Sequence, residues 1–128
     1  MNEIVETKDG SHSLKSEQFN QTYHSVHGAL AESEHVFIEA GLKPAVGEND
    51  KLTIFEMGFG TGLNAFLTAV YAFEHDLKIR YETVEQYPVD LDQIKHLNYA
   101  ELINNGMNSD LFQSLHTAKW ETDTNINE

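Results

Sequence analysis

The stretch Phe55-Glu56-Met57-Gly58-Phe59-Gly60-Thr61-Gly62-Leu63-Asn64 decides how the rest of the chain is read. Glycines stand at alternate positions between a short apolar run, Leu52 to Met57, and a longer one that begins at Leu63. The short run is typical of a buried parallel strand. Leu63 to His75 is apolar on most sides and reads as a helix buried against a sheet. Glycines at such a junction let the backbone turn sharply and approach a ligand with no Cβ in the way. The helix start then offers N–H groups without intrahelical partners, a positive end that suits a carboxylate or a phosphate.

Toward the C-terminus, Lys78 to Glu85 reads as a second strand, with Tyr81, Thr83 and Val84 favouring extended backbone. The order strand, glycine turn, helix, strand, helix is a βαβα unit and implies a parallel sheet. Glu85 ends the second strand, 23 residues beyond Gly62. It is expected to face the Gly58–Gly62 loop from a strand adjacent and parallel to the first. An acid at that place can accept hydrogen bonds from both ribose hydroxyls of an adenosine. Pro88 is predicted to open a helix running to about Asn105 and stopped by Gly106, and Ser109 to His116 reads as a shorter helix. Asp90 and Asp92 fall in a first turn, where the helix dipole favours acids. Trp120 reads as a packing anchor, or an exposed liability, and Thr122 to Glu128 as a polar tail.

Toward the N-terminus, Ile4 to Lys8, Asp9-Gly10 and Ser11 to Leu14 predict a β-hairpin with a two-residue turn. Phe19 to His27 reads as irregular. Ala29 to Ala40 is predicted helical, closed by Gly41 with Pro44 as a breaker. Gly10, Gly41 and Gly106 are expected at positive φ. The fold class is therefore α/β: an N-terminal extension, residues 1–50, a Rossmann-like first half-core, residues 51–120, and a polar tail, residues 121–128. Phe66, Tyr71, Phe73 and Tyr99 are the aromatic core candidates.

Length and composition allow one small domain: 128 residues, 40% of them hydrophobic. The absence of cysteine excludes a disulfide scaffold, a thiolate metal site and a cysteine nucleophile. The N-terminus is polar and acidic, unlike a signal peptide, and no apolar run approaches the roughly 20 residues of a membrane helix. A soluble cytoplasmic protein is expected. Formal net charge is −13, from 8 basic and 21 acidic residues. A free-standing nucleic-acid binder should carry a basic stripe, so an RNA partner would need a basic surface on other sequence. His24, His27 and Glu32 lack the spacing and cysteines of a metal centre, and no metal is expected. Two strands with open edges invite self-association.

The glycine loop leaves three readings open. Gly60-Thr61-Gly62-Leu63-Asn64-Ala65 satisfies the dinucleotide pattern G-x-G-x-x-A. Glu56 would crowd a pyrophosphate but could pair with the cationic end of S-adenosylmethionine, and the additional Gly58 belongs to a methyltransferase pattern. A tight turn with no ligand is the third.

Several stretches together resemble one family. They are Glu6-Thr7-Lys8-Asp9-Gly10-Ser11-His12-Ser13-Leu14, Tyr23-His24-Ser25, Gly28-Ala29, Glu32-Ser33, His35-Val36-Phe37-Ile38, Glu56 to Asn64 and Tyr81-Glu82-Thr83-Val84-Glu85. The chain resembles the methyltransferase domain of the MnmC/MnmD type from about Glu6 to about Trp120. That resemblance implies a class I methyltransferase fold and transfer of a methyl group from S-adenosylmethionine to the aminomethyl group of a modified wobble uridine in tRNA. It implies Glu56, Gly58, Gly60, Gly62 and Asn64 in the cofactor loop, Glu85 at the ribose with Gln86 beside it, and Tyr23 and Ser25 in the segment over the cofactor. The family continues into further strands, one ending in Asp-Ala-Phe-x-Pro on the substrate side, and no Asp-Ala-Phe occurs here. The expectation is an incomplete fold whose catalytic residue is not among those present, Tyr23 and His24 being the candidates that remain. The alternative is a non-catalytic S-adenosylmethionine-binding or interaction fragment.

Overall fold

The computed structural model describes residues 2–48, 50–103 and 109–126 and shows a mixed α/β arrangement with one antiparallel and one parallel sheet. β1 (Glu3–Glu6) and β2 (His12–Ser16) pair antiparallel, Ile4 opposite Leu14, and the short β3 (Gln21–Thr22) adds to the far edge of β2. The hairpin turn differs from the two-residue form expected. Gly10 N–H donates to Thr7 O at 3.0 Å and Thr7 N–H to Ser11 O at 2.8 Å, so Lys8, Asp9 and Gly10 form a three-residue loop. Within it only Gly10 takes positive φ, 84°.

A helical run, α1, follows: Ala29–Glu32 as α-helix, Ser33–Leu42 as a wider π-helical stretch, and Lys43–Val46 as α-helix again. Its start carries no capping side chain of its own, because residue 28 is glycine. The hairpin turn caps it from across. The N–H groups of Ala29, Leu30 and Ala31 donate to Thr7 Oγ1, Ser11 Oγ and Asp9 Oδ2 at 3.0, 2.9 and 2.8 Å. A Cβ on Gly28 would lie 2.9 Å from Asp9 Oδ2, so this approach requires glycine. Burial works to raise the Asp9 carboxyl pKa, but hydrogen bonds from Ser11, Ala31 and Thr7 outweigh it and hold the value at about 2.

Gly41 corrects the expected helix end. It lies inside the π-helical stretch, where Lys43 N–H reaches back to Ile38 O, and it is absent from the residues at positive φ. Pro44 sits in the first turn of the following α-helical segment, where its missing N–H costs no hydrogen bond. The run ends instead at Gly47, φ 52°. Gly106 lies outside the described residues.

β4 (Lys51–Met57) and β5 (Lys78–Val84) pair in parallel, Lys51 opposite Lys78 and Met57 opposite Val84. Between them runs α2 (Leu63–Glu74), which buries Leu63, Ala65, Phe66, Leu67, Thr68 and Val70. The βαβ unit is thus present as expected. The strands, however, are not buried on both faces. Leu52, Ile54 and Ile79 pack on the core, while Phe55, Met57 and Val84 on the opposite face are exposed.

The helix expected from Pro88 to Asn105 is two short pieces, α3 (Leu91–Ile94) and α4 (Tyr99–Leu102). Asn98 divides them. Its Oδ1 accepts from His12 N–H at 2.9 Å and its Nδ2 donates to Gly10 O at 2.9 Å, so the hairpin takes the polar groups of this residue. Asn105 lies outside the described residues. α5 (Ser109–Thr117) then packs Phe112 against Phe66 and Tyr99. One continuous core joins Leu14, Ala29, Ile38 and Leu42 to Leu63, Phe66, Ile94, Tyr99 and Phe112. Phe73 is corrected: it is 71% exposed, at the solvent side of α2, and Tyr71 is only half-buried. Among the described residues no helix is long and apolar enough to cross a membrane.

Candidate functional site

The glycine loop crosses the carboxyl end of β5. The N–H groups of Gly58 and Phe59 both donate to Val84 O, at 2.9 and 3.1 Å. Gly60 N–H donates to Glu85 Oε1 at 2.7 Å, and Tyr87 N–H to Glu85 Oε2 at 3.2 Å. The loop closes on itself through Gly62 N–H to Phe59 O at 2.9 Å. Gly58, Gly60 and Gly62 all take positive φ, 93°, 56° and 76°. This is the conformation for which the alternate glycines are needed. Glu85 therefore stands where the sequence predicted, beside the loop and at the end of a parallel neighbour of β4. Each of its oxygens keeps a lone pair beyond the one used by the backbone.

Between this loop and α1 lies a cleft of about 570 Å³. Its lining brings together five of the predicted residues: Tyr23, Gly58, Gly60, Asn64 and Glu85. His24, Phe59 and, from α1, Glu32, Ser33, Val36 and Phe37 complete it. The lining contains two carboxylates and no lysine or arginine. Tyr23 lies against the loop, its Cδ2 3.2 Å from where a Cβ on Gly60 would be. Asn64 Oδ1 is buried without a hydrogen-bond partner.

The other predicted residues lie elsewhere. Glu56 is buried beneath the cleft, accepting from Thr83 Oγ1 at 2.9 Å. Burial pushes its carboxyl pKa up, Tyr81, Thr83 and Asn64 pull it down, and Glu85 pushes it up again. Tyr81 approaches that carboxylate, yet its hydroxyl lacks a partner of full hydrogen-bond geometry. Gly62 faces α5 rather than the cleft, with His116 Nε2 2.7 Å from where its Cβ would be. Ser25 uses its hydroxyl locally, accepting from His27 N–H at 3.1 Å, and does not line the cleft. Gln86 is exposed and also outside the lining.

Sequence reasoning missed the contribution of α1 and a layer beneath the loop. Glu32, Ser33, Val36 and Phe37 recur at helical spacing, and a serine within an apolar stripe was the available signal. Under the loop, Thr61 is fully buried. His24 Nε2 lies 2.8 Å from Thr61 Oγ1, and His116 Nε2 donates to Thr61 O at 2.8 Å. Burial lowers the pKa of both rings, that of His116 to about 4 against the pull of the Thr61 carbonyl, and that of His24 against the pull of Glu32. Both rings are neutral near pH 7. Trp120, 45% exposed, packs edge-on against Phe59 at 6.0 Å. Among the described residues no group of three or more His, Asp or Glu gathers that could hold a metal ion.

No protein-family model matches the chain. A protein of Burkholderia thailandensis named tRNA 5-methylaminomethyl-2-thiouridine biosynthesis bifunctional protein MnmC is 34% identical over 97 residues, 72% of this chain and 14% of the relative. The proteins of the same name from Burkholderia mallei and Burkholderia pseudomallei are 33% identical over the same share. The crystal structure of MnmC2 from Aquifex aeolicus superposes with a TM-score of 0.63 at 28% identity, covering 70% of this chain and 31% of that one. The chain spans about a seventh of the length of these curated relatives. Sequence and structure agree on an MnmC-like domain.

Proposed function

We propose that the cleft is an S-adenosylmethionine site and that the domain serves methyl transfer to the aminomethyl group of a modified wobble uridine in tRNA. The observation that carries the cofactor is the charge of the lining: Glu32 and Glu85 with no basic residue. A dinucleotide brings a pyrophosphate with two negative charges, which such walls repel. S-adenosylmethionine brings a sulfonium and an ammonium against one carboxylate, and acidic walls attract it. The Asn64 amide is a polar group of the lining, and Tyr23 brings an aromatic ring against Gly60 in the same cleft. The first N–H groups of α2 suit the carboxylate by position. Glu85 takes the ribose hydroxyls through the lone pairs its backbone donors leave free.

When bound, the cofactor would supply an electrophilic methyl group: the amine nitrogen would bond to that carbon as the carbon–sulfur bond breaks, with S-adenosylhomocysteine leaving and the amine proton passing to solvent. The work of this chain is to hold and orient. The first N–H groups of α2 and Asn64 hold the amino-acid end and Glu85 the ribose, with Tyr23 and Phe37 lining the cleft beside them. No residue here is assigned a proton-transfer step. The substrate and the Rossmann-like methyltransferase reading rest on the MnmC names of the relatives, whose sequences extend well beyond the matched part. A cytoplasmic site of action follows from a tRNA substrate.

The test is a chemical-shift titration of the chain with S-adenosylmethionine, with NAD as competitor. Shifts at Gly58, Gly60 and Asn64 are expected with S-adenosylmethionine alone. Glu85→Ala should weaken binding about tenfold or more, as for a lost pair of charge-assisted hydrogen bonds. Equal shifts with NAD, or a Glu85→Ala protein that binds as well as the parent, would overturn the assignment.

A further inference from the structure

The layer beneath the glycine loop does more than fill space. Thr61 is the central residue of Gly60-Thr61-Gly62, with a fully buried side chain between two glycines at positive φ. The Thr61–Gly62 peptide plane has a glycine on one side, whose permissive φ lets the plane rotate unless its polar groups are held. The Thr61–Gly62 plane is held at both ends. Gly62 N–H donates to Phe59 O at 2.9 Å, and Thr61 O accepts from His116 Nε2 at 2.8 Å. A carbonyl can only accept, so the proton of His116 is on Nε2. The ring is held in turn, edge-on to Phe59 at 5.0 Å and to Phe112 at 4.9 Å. It also fills the space that a side chain at position 62 would need. On the other side, His24 takes the Thr61 hydroxyl, and the Tyr99 hydroxyl, which donates to His12 O at 2.6 Å, lies 3.5 Å away.

We infer that His116 is a positioning residue for the cleft: its Nε2–H fixes the Thr61 carbonyl and so sets where Gly60, whose N–H is bonded to Glu85 Oε1, lines the cleft and in which direction the start of α2 presents its N–H groups. His116 does not line the cleft, so it acts through Thr61. The consequence is that α5, at the far end of the described chain, carries part of the ligand affinity of a loop in the middle of it. As a statement about ligand affinity this rests on the S-adenosylmethionine reading; as a statement about the loop it does not.

The experiment separates the two. In the 128-residue chain, His116→Phe keeps an aromatic ring between Phe59 and Phe112 but has no donor. His116→Gln returns an N–H donor at a similar reach. Amide shifts and hydrogen exchange of Gly60 and Gly62 report the loop without any ligand. His116→Phe is expected to shift both amides and speed their exchange, and to weaken S-adenosylmethionine binding about fivefold, the fold-change of one net hydrogen bond. His116→Gln is expected to restore both readouts, which a mere packing role would not do, since glutamine packs worse than phenylalanine there. Should His116→Phe not fold, His116→Met fills the same space without a donor. Parent-like Gly60 and Gly62 amides in the donorless variant, or a glutamine variant as perturbed as it, would overturn the inference. If the loop responds as stated while the parent chain binds no S-adenosylmethionine, the cofactor reading fails and the role of His116 in the loop stands.

Discussion

The hairpin–helix junction and the parallel two-stranded sheet satisfy their needs in opposite ways. At the junction, three helix N–H groups meet three side chains of one turn, and Thr7 and Ser11 are buried with their hydroxyls bonded to each other, to Asp9 and to the helix start. In the sheet, β4 and β5 pair with each other but one face is largely open: Phe55, Met57 and Val84 are 61%, 83% and 46% exposed. Parallel sheets are normally covered on both faces. The difference teaches where the stability of this chain is local and where it waits for other surface. The cleft sits where the two meet, with one wall from the helix that the hairpin caps and the other from the loop that ends β4.

Breaking the junction should have the largest effect. Asp9 accepts from Ser11 N–H, Ser11 Oγ and Ala31 N–H, and Thr7 Oγ1 lies 2.8 Å from the same carboxylate. Asp9→Ala is expected to destabilise the chain by about 2–3 kcal/mol, read by urea unfolding. The pH dependence has a defined sign. The folded carboxyl pKa, about 2, is below its ordinary 3.8, so its stabilisation is present above pH 3.8 and is lost as pH falls toward 2. Asp9→Asn should flatten that part of the acid-unfolding curve. An unchanged slope would mean that the turn does not cap the helix in solution.

Gly28→Ala tests the same junction more gently. Its Cβ would meet Asp9 Oδ2 at 2.9 Å and Ala31 Cβ at 3.3 Å, at a φ of 155°. A loss of about 1–2 kcal/mol is expected. Because the carboxylate is the atom displaced, the losses from Gly28→Ala and Asp9→Ala should not add. Additive losses in the double variant would place the strain at Ala31 instead.

The two regions also differ in how much of them could be read from sequence. The turn at Gly58, Gly60 and Gly62 and the place of Glu85 beside it were legible because their signals are local: alternate glycines at a strand end, and an acid closing the next strand. Asp9-Gly10 was legible as a turn, but its capping of α1 was not, since it joins residues about 20 positions apart by hydrogen bonds no periodicity records. Gly41 misled because the helical run widens around it, and a glycine that is not at a C′ position carries no stop signal. Asn98 divided a predicted helix through bonds to the hairpin, again tertiary. His116 was invisible as part of the loop, because its role depends on α5 packing beneath Thr61.

The smallest effect on stability is expected at the bare face of the sheet, and there the informative readout is association. Phe55 and Met57 alternate with Ile54 and Glu56, so the same strand presents one face to the core and the other outward. Phe55→Thr with Met57→Thr keeps strand preference at Phe55 and removes apolar area that the single chain already leaves in water. Its melting should therefore shift by no more than about 0.5 kcal/mol equivalent, while Ile54→Thr, on the covered face, should cost about 1–2 kcal/mol. Exposed apolar side chains beside open strand edges predict self-association that grows with concentration, and the double variant should reduce it in sedimentation velocity. If Phe55→Thr with Met57→Thr costs as much stability as Ile54→Thr, the chain covers that face itself in solution. The contrast between junction and sheet would then be smaller than the two exposures imply.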